Sequence, residues 1–189
     1  MRRLSRPIQR HPVIYAASAL LIIAIVFMVA RNRKPVSSLI AEQDRRAMPA
    51  ITEKLLNGEP WKLRDHHGEV IAINYWASWC APCWQETPVL VKLSRELGPR
   101  GFTVIGIATD ERNSEEIPDG VNRFVERFHI PYAVAVTAPM SQIAYGMEGL
   151  PTTLLVDRQG RLAQVYAGAI RETVFRSDVE TLLRDIQSK

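Results

Sequence analysis

The spacing of apolar residues changes along the chain and divides it into four stretches. Residues 13–30 form an apolar run of eighteen residues without a charge, preceded by a short basic segment at 1–12. A helix of this length just reaches across the hydrocarbon layer of a membrane. Residues 31–47 are polar and charged, and we predict an extended linker there. From residue 48 to 189 the pattern is that of a folded domain.

Within the folded stretch, apolar runs with strand-like spacing alternate with segments of helical spacing. Short runs bounded by turn residues predict strands, and apolar residues recurring every three or four positions predict amphipathic helices. The predicted strands are 70–77, 102–109, 132–136, 152–156 and 162–167, and the predicted helices are 82–97 with a break or kink near Pro88, 121–128, 140–145 and 171–186. This alternation, followed by a hairpin, predicts an α/β fold: a central mixed sheet flanked by helices on both faces.

The apolar run at 13–30 allows two interpretations. An uncleaved transmembrane anchor fits its length, whereas a cleaved signal peptide usually has a shorter apolar region that ends in small residues at the cleavage site. Here Met28 stands where the first small residue is needed, and Arg31 follows the run at once. We therefore favour a single transmembrane helix that anchors the domain. Basic residues flank both ends, so the flanking charges alone do not fix its orientation.

Charge is unevenly distributed along the chain and argues against a nucleic-acid partner. The formal net charge is +4, yet the first 34 residues carry seven Lys and Arg and no acid, which leaves a net charge of −3 for the remainder. Basic residues confined to the ends of an apolar run indicate membrane flanks and not a nucleic-acid surface.

The chain contains two cysteines, Cys80 and Cys83, which follow a predicted strand and open a predicted helix. Unpaired N–H groups and the helix dipole stabilise a thiolate at a helix start, so Cys80 is the candidate nucleophile. Cys83 lies one turn further on and would resolve the mixed disulfide between Cys80 and the substrate by attacking Cys80. Pro82 fixes the first helical turn without removing a needed N–H.

Three other roles are open to two cysteines at this spacing. A structural disulfide would close only a very small loop and add little stability. A zinc site needs four ligands, and the sequence supplies no second cysteine pair or suitably placed histidine pair. Two thiolates could bind copper(I), because soft ligands favour that ion. We favour disulfide exchange, with no metal and no cofactor beyond the cysteine pair itself.

Further candidates for the site lie on both sides of the cysteine pair. Glu86 follows Cys83 by three residues and could accept its proton, provided that burial raises the pKa of the carboxyl group. The alternative is a solvated glutamate near the helix start. Pro151 opens a predicted strand, and a cis bond before it would leave the backbone of Leu150 free to pair with an incoming peptide. Trp79 is predicted to lie partly in the core and partly at the rim of the site.

Three segments together resemble one family. They are residues 74–83, with the sequence Asn-Tyr-Trp-Ala-Ser-Trp-Cys-Ala-Pro-Cys, residues 86–88 and residues 149–157. Their spacing fits as well, including an extra βα insertion around 110–136. From about residue 48 to the C-terminus, the chain resembles the membrane-anchored thioredoxin-like thiol–disulfide oxidoreductases of the ResA/TlpA type, which are related to those of cytochrome c maturation.

The resemblance implies a thioredoxin-like fold and a role for each site residue. Cys80 would be the exposed nucleophile, Cys83 the resolving thiol and Pro151 a cis-proline beside the pair. Asn74 stands where ordinary thioredoxins carry a buried aspartate, and the resemblance implies that Glu86 takes over as the acid near the thiols. We expect the substrate to contact a set of residues around the pair, namely Trp79, Pro82, Leu150 and Pro151.

The resemblance also implies a location and partners. The family faces outward from the bacterial cytoplasmic membrane, so we expect a periplasmic domain that reduces disulfides in exported proteins. Cytochrome c cysteines or the copper-site cysteines of an oxidase assembly factor are the expected substrates, and a membrane thiol transporter is the expected reductant. Residues 145–150 depart from the Gly-Val-Tyr-Gly pattern common in cytochrome c maturation members. The alternatives that stay open are a disulfide oxidase of the same fold and a copper(I)-binding assembly factor.

Overall fold

The computed structural model describes residues 21–25, 28, 38–110, 118–137 and 149–185. The chain divides into two units, Met1–Pro35 and Val36–Lys189. The described residues of the first unit are helical and exposed. Within the described parts of the chain, no helix has the length and apolar character needed to cross a membrane. The predicted anchor at 13–30 lies largely outside the described residues and stays a prediction, as does the basic segment at 1–12.

The second unit contains short strands and helices that alternate along the chain. The described strands are β1 (Thr52–Lys54), β2 (Pro60–Lys62), β3 (Val70–Trp76), β4 (Phe102–Ala108), β5 (Ala133–Val136), β6 (Thr152–Val156) and β7 (Leu162–Ala167), and the described α-helices are α1 (Ala81–Leu97), α2 (Asp119–Phe128) and α3 (Glu172–Arg184). Each of the predicted strands is confirmed to within one residue at each end. The predicted helix at 140–145 lies outside the described residues.

Five of these strands form one mixed sheet in the order β5-β4-β3-β6-β7. Strands β3, β4 and β5 run parallel, so Trp76, Ala108 and Val136 lie in register at their carboxyl ends. Strand β6 pairs antiparallel with β3, and β7 pairs antiparallel with β6. This arrangement confirms the mixed sheet and gives the thioredoxin-like α/β fold. The chain leaves β3 at the shared carboxyl edge, and helix α1 begins there.

The described helices pack on one face of the sheet. Helices α1 and α3 bury apolar residues against the face of β3 and β4 that carries Val70, Ala72 and Val104. Helix α2 packs nearby, against Trp76 and Ala108 on the same face. We expected helices on both faces. In the described residues, the other face is covered by Ile51, Trp61 and Leu63, which belong to the β1–β2 hairpin and the turns that flank it.

Helix α1 is continuous through Pro88, so the predicted interruption is wrong, while the predicted kink stays a prediction. A proline inside a helix removes one backbone hydrogen bond and crowds the preceding turn. Beyond the proline, Leu90, Leu93 and Leu97 are all buried against the sheet and helix α3. Burial of three leucine side chains outweighs the loss of one hydrogen bond, because each contributes about 1.5 to 3 kcal/mol.

The folded unit begins earlier than the predicted boundary at residue 48. The Ser38 hydroxyl donates to the buried Asp178 carboxylate of α3 at 2.7 Å, and the Ile40 N–H donates to the Ala163 carbonyl of β7 at 2.8 Å. Arg45 forms an ion pair with the buried Asp157 at 3.3 Å. Residues 38–47 therefore dock on β7 and α3, where we had expected the second half of an extended linker. Residues 31–37 lie outside the described part.

Gly106 of strand β4 lies close to the side chain of Trp76, which belongs to the neighbouring strand β3. A Cβ atom on Gly106 would lie 2.9 Å from Trp76 Nε1 and 3.3 Å from Tyr132 Cε2. We expect Gly106→Ala to lower the free energy of unfolding by about 1 to 3 kcal/mol, because the added methyl group overpacks this site. Urea unfolding followed by tryptophan fluorescence measures the change.

The matched control for this variant is Gly149→Ala, because a Cβ atom there would meet nothing within 4 Å. We expect the control to stay within about 0.5 kcal/mol of the parent chain. Equal stability of the two variants would show that Trp76 and Tyr132 do not restrict the space above Gly106.

Candidate active site at the start of helix α1

The two cysteines are joined by a disulfide at the start of helix α1. Cys80 is the residue that caps the helix, and Cys83 lies in its first turn, with 5.3 Å between their Cα atoms. The Cys83 N–H donates to Cys80 Sγ at 3.3 Å. Pro82 lies between them, where the missing N–H costs no helical hydrogen bond. The backbone therefore presents a hydrogen-bond donor and the positive end of the helix dipole to the Cys80 sulfur.

The two sulfurs differ slightly in access to solvent. Cys80 is 4% exposed and Cys83 is fully buried. The greater exposure of Cys80 agrees with its predicted role as the nucleophile. In the disulfide form, however, Cys80 is almost completely buried, whereas the resemblance implied an exposed residue. Both cysteines belong to an apolar cluster with Trp76, Phe124 and other side chains, and this packing covers them. Of the two cysteines, Cys80 is therefore the one with exposed surface in the disulfide form.

A buried carboxylate fixes the loop that leads into Cys80. Asp110, which follows β4 and is 5% exposed, accepts the Ser78 N–H at 3.0 Å and also the Ser78 hydroxyl. The Ser78 carbonyl accepts the indole N–H of Trp84 at 2.9 Å. Ser78 is therefore hydrogen-bonded both to Asp110, at the end of strand β4, and to Trp84 of helix α1. The loop between β3 and α1 consequently has a defined position two residues before the nucleophile candidate.

Helix α2 supports the start of α1 through aromatic contacts. The Phe124 ring stacks on Trp76 with centroids 4.1 Å apart. Trp84 makes edge contacts with Phe124 and Phe128, both at 5.4 Å. Trp79, by contrast, is 71% exposed, so the expectation that it lies partly in the core is wrong. Trp76 and Trp84 make the aromatic contacts with helix α2, and Trp79 lies at the rim of the site.

Glu86 lies on helix α1 three residues after Cys83 and is buried, with 1% of its surface exposed. Its Oε1 accepts the Asn74 side-chain amide at 2.6 Å, and its Oε2 accepts the Ile170 N–H at 3.2 Å. The same amide donates to Thr153 Oγ1 at 2.9 Å. The carboxyl group is therefore held between helix α1, strands β3 and β6 and the segment before α3. These contacts exclude the solvated helix glutamate that the sequence left open.

Burial raises the pKa of Glu86 from 4.5 to about 7, and the hydrogen bonds from Ile170 and Asn74 oppose that rise only in part. Burial also raises the pKa of Tyr132, and the negative charge of Glu86 raises it further. The carboxyl group can thus hold or release a proton near neutral pH. It lies one helical turn after Cys83, on the same side of the helix.

The segment before β6 carries a cis peptide bond between Leu150 and Pro151, as the resemblance implied. Leu150 is partly buried and packs against the apolar cluster that contains both cysteines. Pro151 is buried, and its carbonyl accepts the Gly168 N–H at 2.8 Å. Pro82 is exposed beside the cysteines. The four residues expected to contact substrate are thus Trp79 and Pro82 on the open side, Leu150 against the cluster, and Pro151 buried behind it.

Sequence reasoning did not single out Asp110, Ser78 or Trp84. A usable signal existed for Asp110, because it follows a parallel strand, and the carboxyl ends of parallel strands meet at one edge of a sheet. Trp84 lies four residues after Cys80, on the same side of the helix. No local pattern marks Ser78, whose role depends on a contact with a residue 32 positions away.

A thioredoxin-like sheet with a cysteine pair bonded at the start of its first long helix, above a buried carboxyl group, defines a thiol–disulfide oxidoreductase. Comparison with known proteins agrees with this class. The model of the Redoxin family matches residues 42–183, and the chain belongs to this family.

The relatives of the chain are thiol–disulfide exchange proteins. The thiol-disulfide oxidoreductase ResA of Halalkalibacterium halodurans is 29% identical over 144 residues, which cover 76% of this chain and 78% of that protein. The thiol:disulfide interchange protein HelX of Rhodobacter capsulatus is 32% identical over 123 residues, 64% of each chain. The crystal structure of a secreted thiol-disulfide isomerase from Corynebacterium glutamicum matches with a TM-score of 0.68 and 27% identity, over 80% of this chain and 94% of that one. These findings confirm the ResA-type resemblance.

The raised pKa of Glu86 predicts a specific dependence of stability on pH. Between pH 4.5 and 7 the folded chain holds a proton on Glu86 that the unfolded chain has released, so stability falls as the pH rises. A pKa of about 7 in the folded chain against 4.5 in the unfolded one corresponds to about 3 kcal/mol. Urea unfolding of the oxidised protein should show that the parent chain is less stable at pH 8 than at pH 4 by this amount. In Glu86→Gln this difference in stability should be absent.

Glu96→Gln is the matched control, because Glu96 is exposed on the same helix and pairs with Arg176. It should keep the pH dependence of the parent chain. If Glu86→Gln and the parent chain lost equal stability between the two pH values, the pKa of Glu86 would be the same in the folded and the unfolded chain, and the raised pKa would be wrong.

Proposed function

We propose that the protein reduces disulfides in exported proteins through the Cys80–Cys83 pair, while residues 13–30 anchor it in the bacterial cytoplasmic membrane. The observation that carries the proposal is the helix start, where the Cys83 N–H meets Cys80 Sγ and only Cys80 retains any open surface. A sulfur in this position is stabilised as a thiolate once the disulfide is reduced. The partner is a polypeptide disulfide and not a nucleic acid.

The reaction is a pair of thiol–disulfide exchanges. The Cys80 thiolate attacks one sulfur of the substrate disulfide, so that a mixed disulfide forms and the other substrate sulfur leaves and takes up a proton. The Cys83 thiolate then attacks Cys80 Sγ, and the second substrate sulfur leaves as a thiol. The Cys80–Cys83 disulfide of the structure is the product of this second step. Two electrons pass from the cysteine pair to the substrate.

Glu86 takes the proton from Cys83 during the second step. A general base works best with a pKa near the working pH, and burial raises the pKa of Glu86 to about 7. Asn74 orients the carboxyl group by donating to Oε1 at 2.6 Å. An aspartate at position 74 would place a second negative charge beside Glu86, whereas the neutral amide supplies a donor.

The substrate chain lies across Trp79, Pro82 and Leu150, and Pro151 lies buried next to Leu150. Trp79 and Pro82 supply exposed surface on either side of Cys80, and Leu150 borders the apolar cluster that holds the disulfide. The backbone of Leu150 is placed to pair with an extended segment of the substrate.

The membrane tether and the outward location rest on the apolar run at 13–30 and on the relatives. One of the matched structures is that of a secreted thiol-disulfide isomerase. A domain held at the outer surface of the membrane needs a source of electrons there, and a membrane thiol-reducing transporter supplies them. Its substrates are cysteines of cytochrome c or of copper-site proteins in assembly.

Two alternatives use the same thiols. A disulfide oxidase of this fold would run the exchange in reverse, and a reduction potential near about −120 mV would favour it, whereas about −270 mV favours the reductase. A copper(I)-binding assembly factor would bind the ion through both thiolates and lack reductase activity. Copper(I) titration of the reduced protein, with Cys80→Ser as the control, separates that alternative.

Removal of the resolving thiol should trap the natural substrate. In Cys83→Ala the first exchange proceeds and the second cannot. We therefore expect mixed disulfides with the substrate, which appear on a non-reducing gel and are absent under reducing conditions. Cys80→Ala should trap none, because Cys83 is fully buried. Mass spectrometry of the adducts identifies the partners. Adducts formed by Cys80→Ala and absent from Cys83→Ala would reverse the assigned order of attack.

Replacement of Glu86 should slow exchange and change its pH profile. The parent chain is expected to speed up as the pH rises through about 7, because the ionised carboxylate is the base. Glu86→Gln should lower the rate about tenfold or more and lose that rise. Stopped-flow measurement of substrate reduction from pH 5 to 9 tests this, with Glu96→Gln as the control. An unchanged profile in Glu86→Gln would remove Glu86 from proton transfer.

A further inference from the structure

An open groove of about 780 Å³ lies beside the cysteine pair, between the start of α1 and helix α2. Side chains of two kinds dominate its described lining, aromatic ones from Trp79, Trp84 and Phe124 and basic ones from Arg123 and Arg127. We call it the aromatic–basic groove. Its volume falls in the range of sites that take up ligand side chains.

The aromatic surface of this groove is held open to solvent. Trp79 is 71% exposed and Trp84 is 38% exposed. The Trp84 ring is fixed by its hydrogen bond to the Ser78 carbonyl and by its contacts with Phe124 and Phe128. A fixed aromatic wall loses little conformational entropy when a partner binds. Neighbouring exposed tryptophans of this kind mark interaction sites on soluble domains.

The charge of the groove is basic and concentrated on one side. Arg123 and Arg127 are four residues apart, so they project from the same side of helix α2. The Arg127 guanidinium lies 5.3 Å from the centre of the Trp84 ring. Arg123 is 74% exposed and has Asp119 at 3.9 Å, which is a weak surface pair. Among the described lining residues, Glu126 is the one acid.

The groove is within reach of any chain that reacts at Cys80. Trp79 is the residue immediately before Cys80 and also lines the groove. A substrate cysteine bonded to Cys80 Sγ carries neighbours on both sides, each adding about 3.5 Å along an extended chain. Residues two to four positions from the attacked cysteine therefore extend over the groove when the chain runs toward α2.

We propose that the aromatic–basic groove is a second substrate contact, which selects disulfides whose cysteine is followed or preceded within four residues by an aromatic side chain and a carboxylate. The aromatic ring packs between Trp79 and Trp84, and the carboxylate pairs with Arg123 and Arg127. This inference rests on the proposed disulfide reduction and adds a sequence preference to it. Leu150, with Pro151 beside it, contacts the substrate backbone near the attacked cysteine, whereas the aromatic–basic groove contacts substrate side chains further along the substrate chain.

The test uses symmetric peptide dimers, because attack on either sulfur of a symmetric disulfide gives the same products. One peptide carries Cys followed by a Phe-Asp pair two residues on, and its match carries Phe-Lys at the same positions. Hydroxyethyl disulfide, which is small and uncharged, reports the basal exchange. The reduced full chain should show a second-order rate constant of reduction about tenfold higher for the Phe-Asp dimer than for the Phe-Lys dimer, which is the effect of two surface ion pairs.

Charge reversal in the groove should invert this preference. In Arg123→Glu/Arg127→Glu the Phe-Lys dimer should become the better substrate, while the rate with hydroxyethyl disulfide stays that of the parent chain. The control is Arg64→Glu/Arg184→Glu, which changes the net charge equally at exposed positions outside the groove lining. It should keep the preference for the Phe-Asp dimer. If charge reversal lowers the basal rate, Arg123→Gln/Arg127→Gln replaces it and should abolish the preference.

Two results would overturn the inference and leave disulfide reduction intact. One is an equal rate for both dimers in the parent chain, and the other is a preference that persists in both groove variants. If a second copy of the chain covered the groove, the parent chain would sediment as a dimer and the groove variants as monomers, with the same substrate preference in all of them. That result would also overturn the inference. Failure to reduce hydroxyethyl disulfide and both peptides would reject the proposed function itself.

Discussion

The site depends on one contact, the hydrogen bond from the Cys83 N–H to Cys80 Sγ at the start of helix α1. It exists because strand β3 delivers the chain to the edge of the sheet where the parallel strands end, and α1 begins there. The hydrogen bond from Ser78 to the buried Asp110 fixes the loop between β3 and α1. Helix α2 then packs against Trp76 and Trp84, so the helix start cannot move away from the sheet.

The proton chemistry depends on burial of a single carboxyl group. Glu86 would cost free energy as an ion in the apolar interior, and the structure lowers that cost with two donors, the Asn74 amide and the Ile170 N–H. The balance places its pKa at about 7 instead of leaving it fully ionised or fully neutral. The same burial that weakens the fold as pH rises would provide the base that we propose for the exchange reaction. Under that proposal, stability and function are opposed at this residue.

Local patterns predicted the strands and the cysteine pair well, because each depends on residues close in sequence. Strand β3 follows from an uninterrupted apolar run, and the place of Cys80 and Cys83 at the helix start follows from the segments on either side of them. The errors arose where distant contacts decide the outcome. Pro88 was expected to break a helix that sheet packing keeps intact, and Ser38 docks on Asp178, which lies 140 residues away. The hydrogen-bond partners of Glu86 are Asn74 on strand β3 and the backbone of Ile170, which lie 12 and 84 residues away, so no local signal could show its burial.

The central claim is that the helix start holds the Cys80 sulfur as an anion after reduction. Alkylation of the reduced full chain by iodoacetamide between pH 4 and 10, with mass spectrometry of each cysteine peptide, measures both thiol pKa values. The account predicts a Cys80 pKa well below the ordinary value of about 8.5, with faster alkylation than that of Cys83. A Cys80 pKa at or above that of free cysteine, with no faster alkylation, would contradict it.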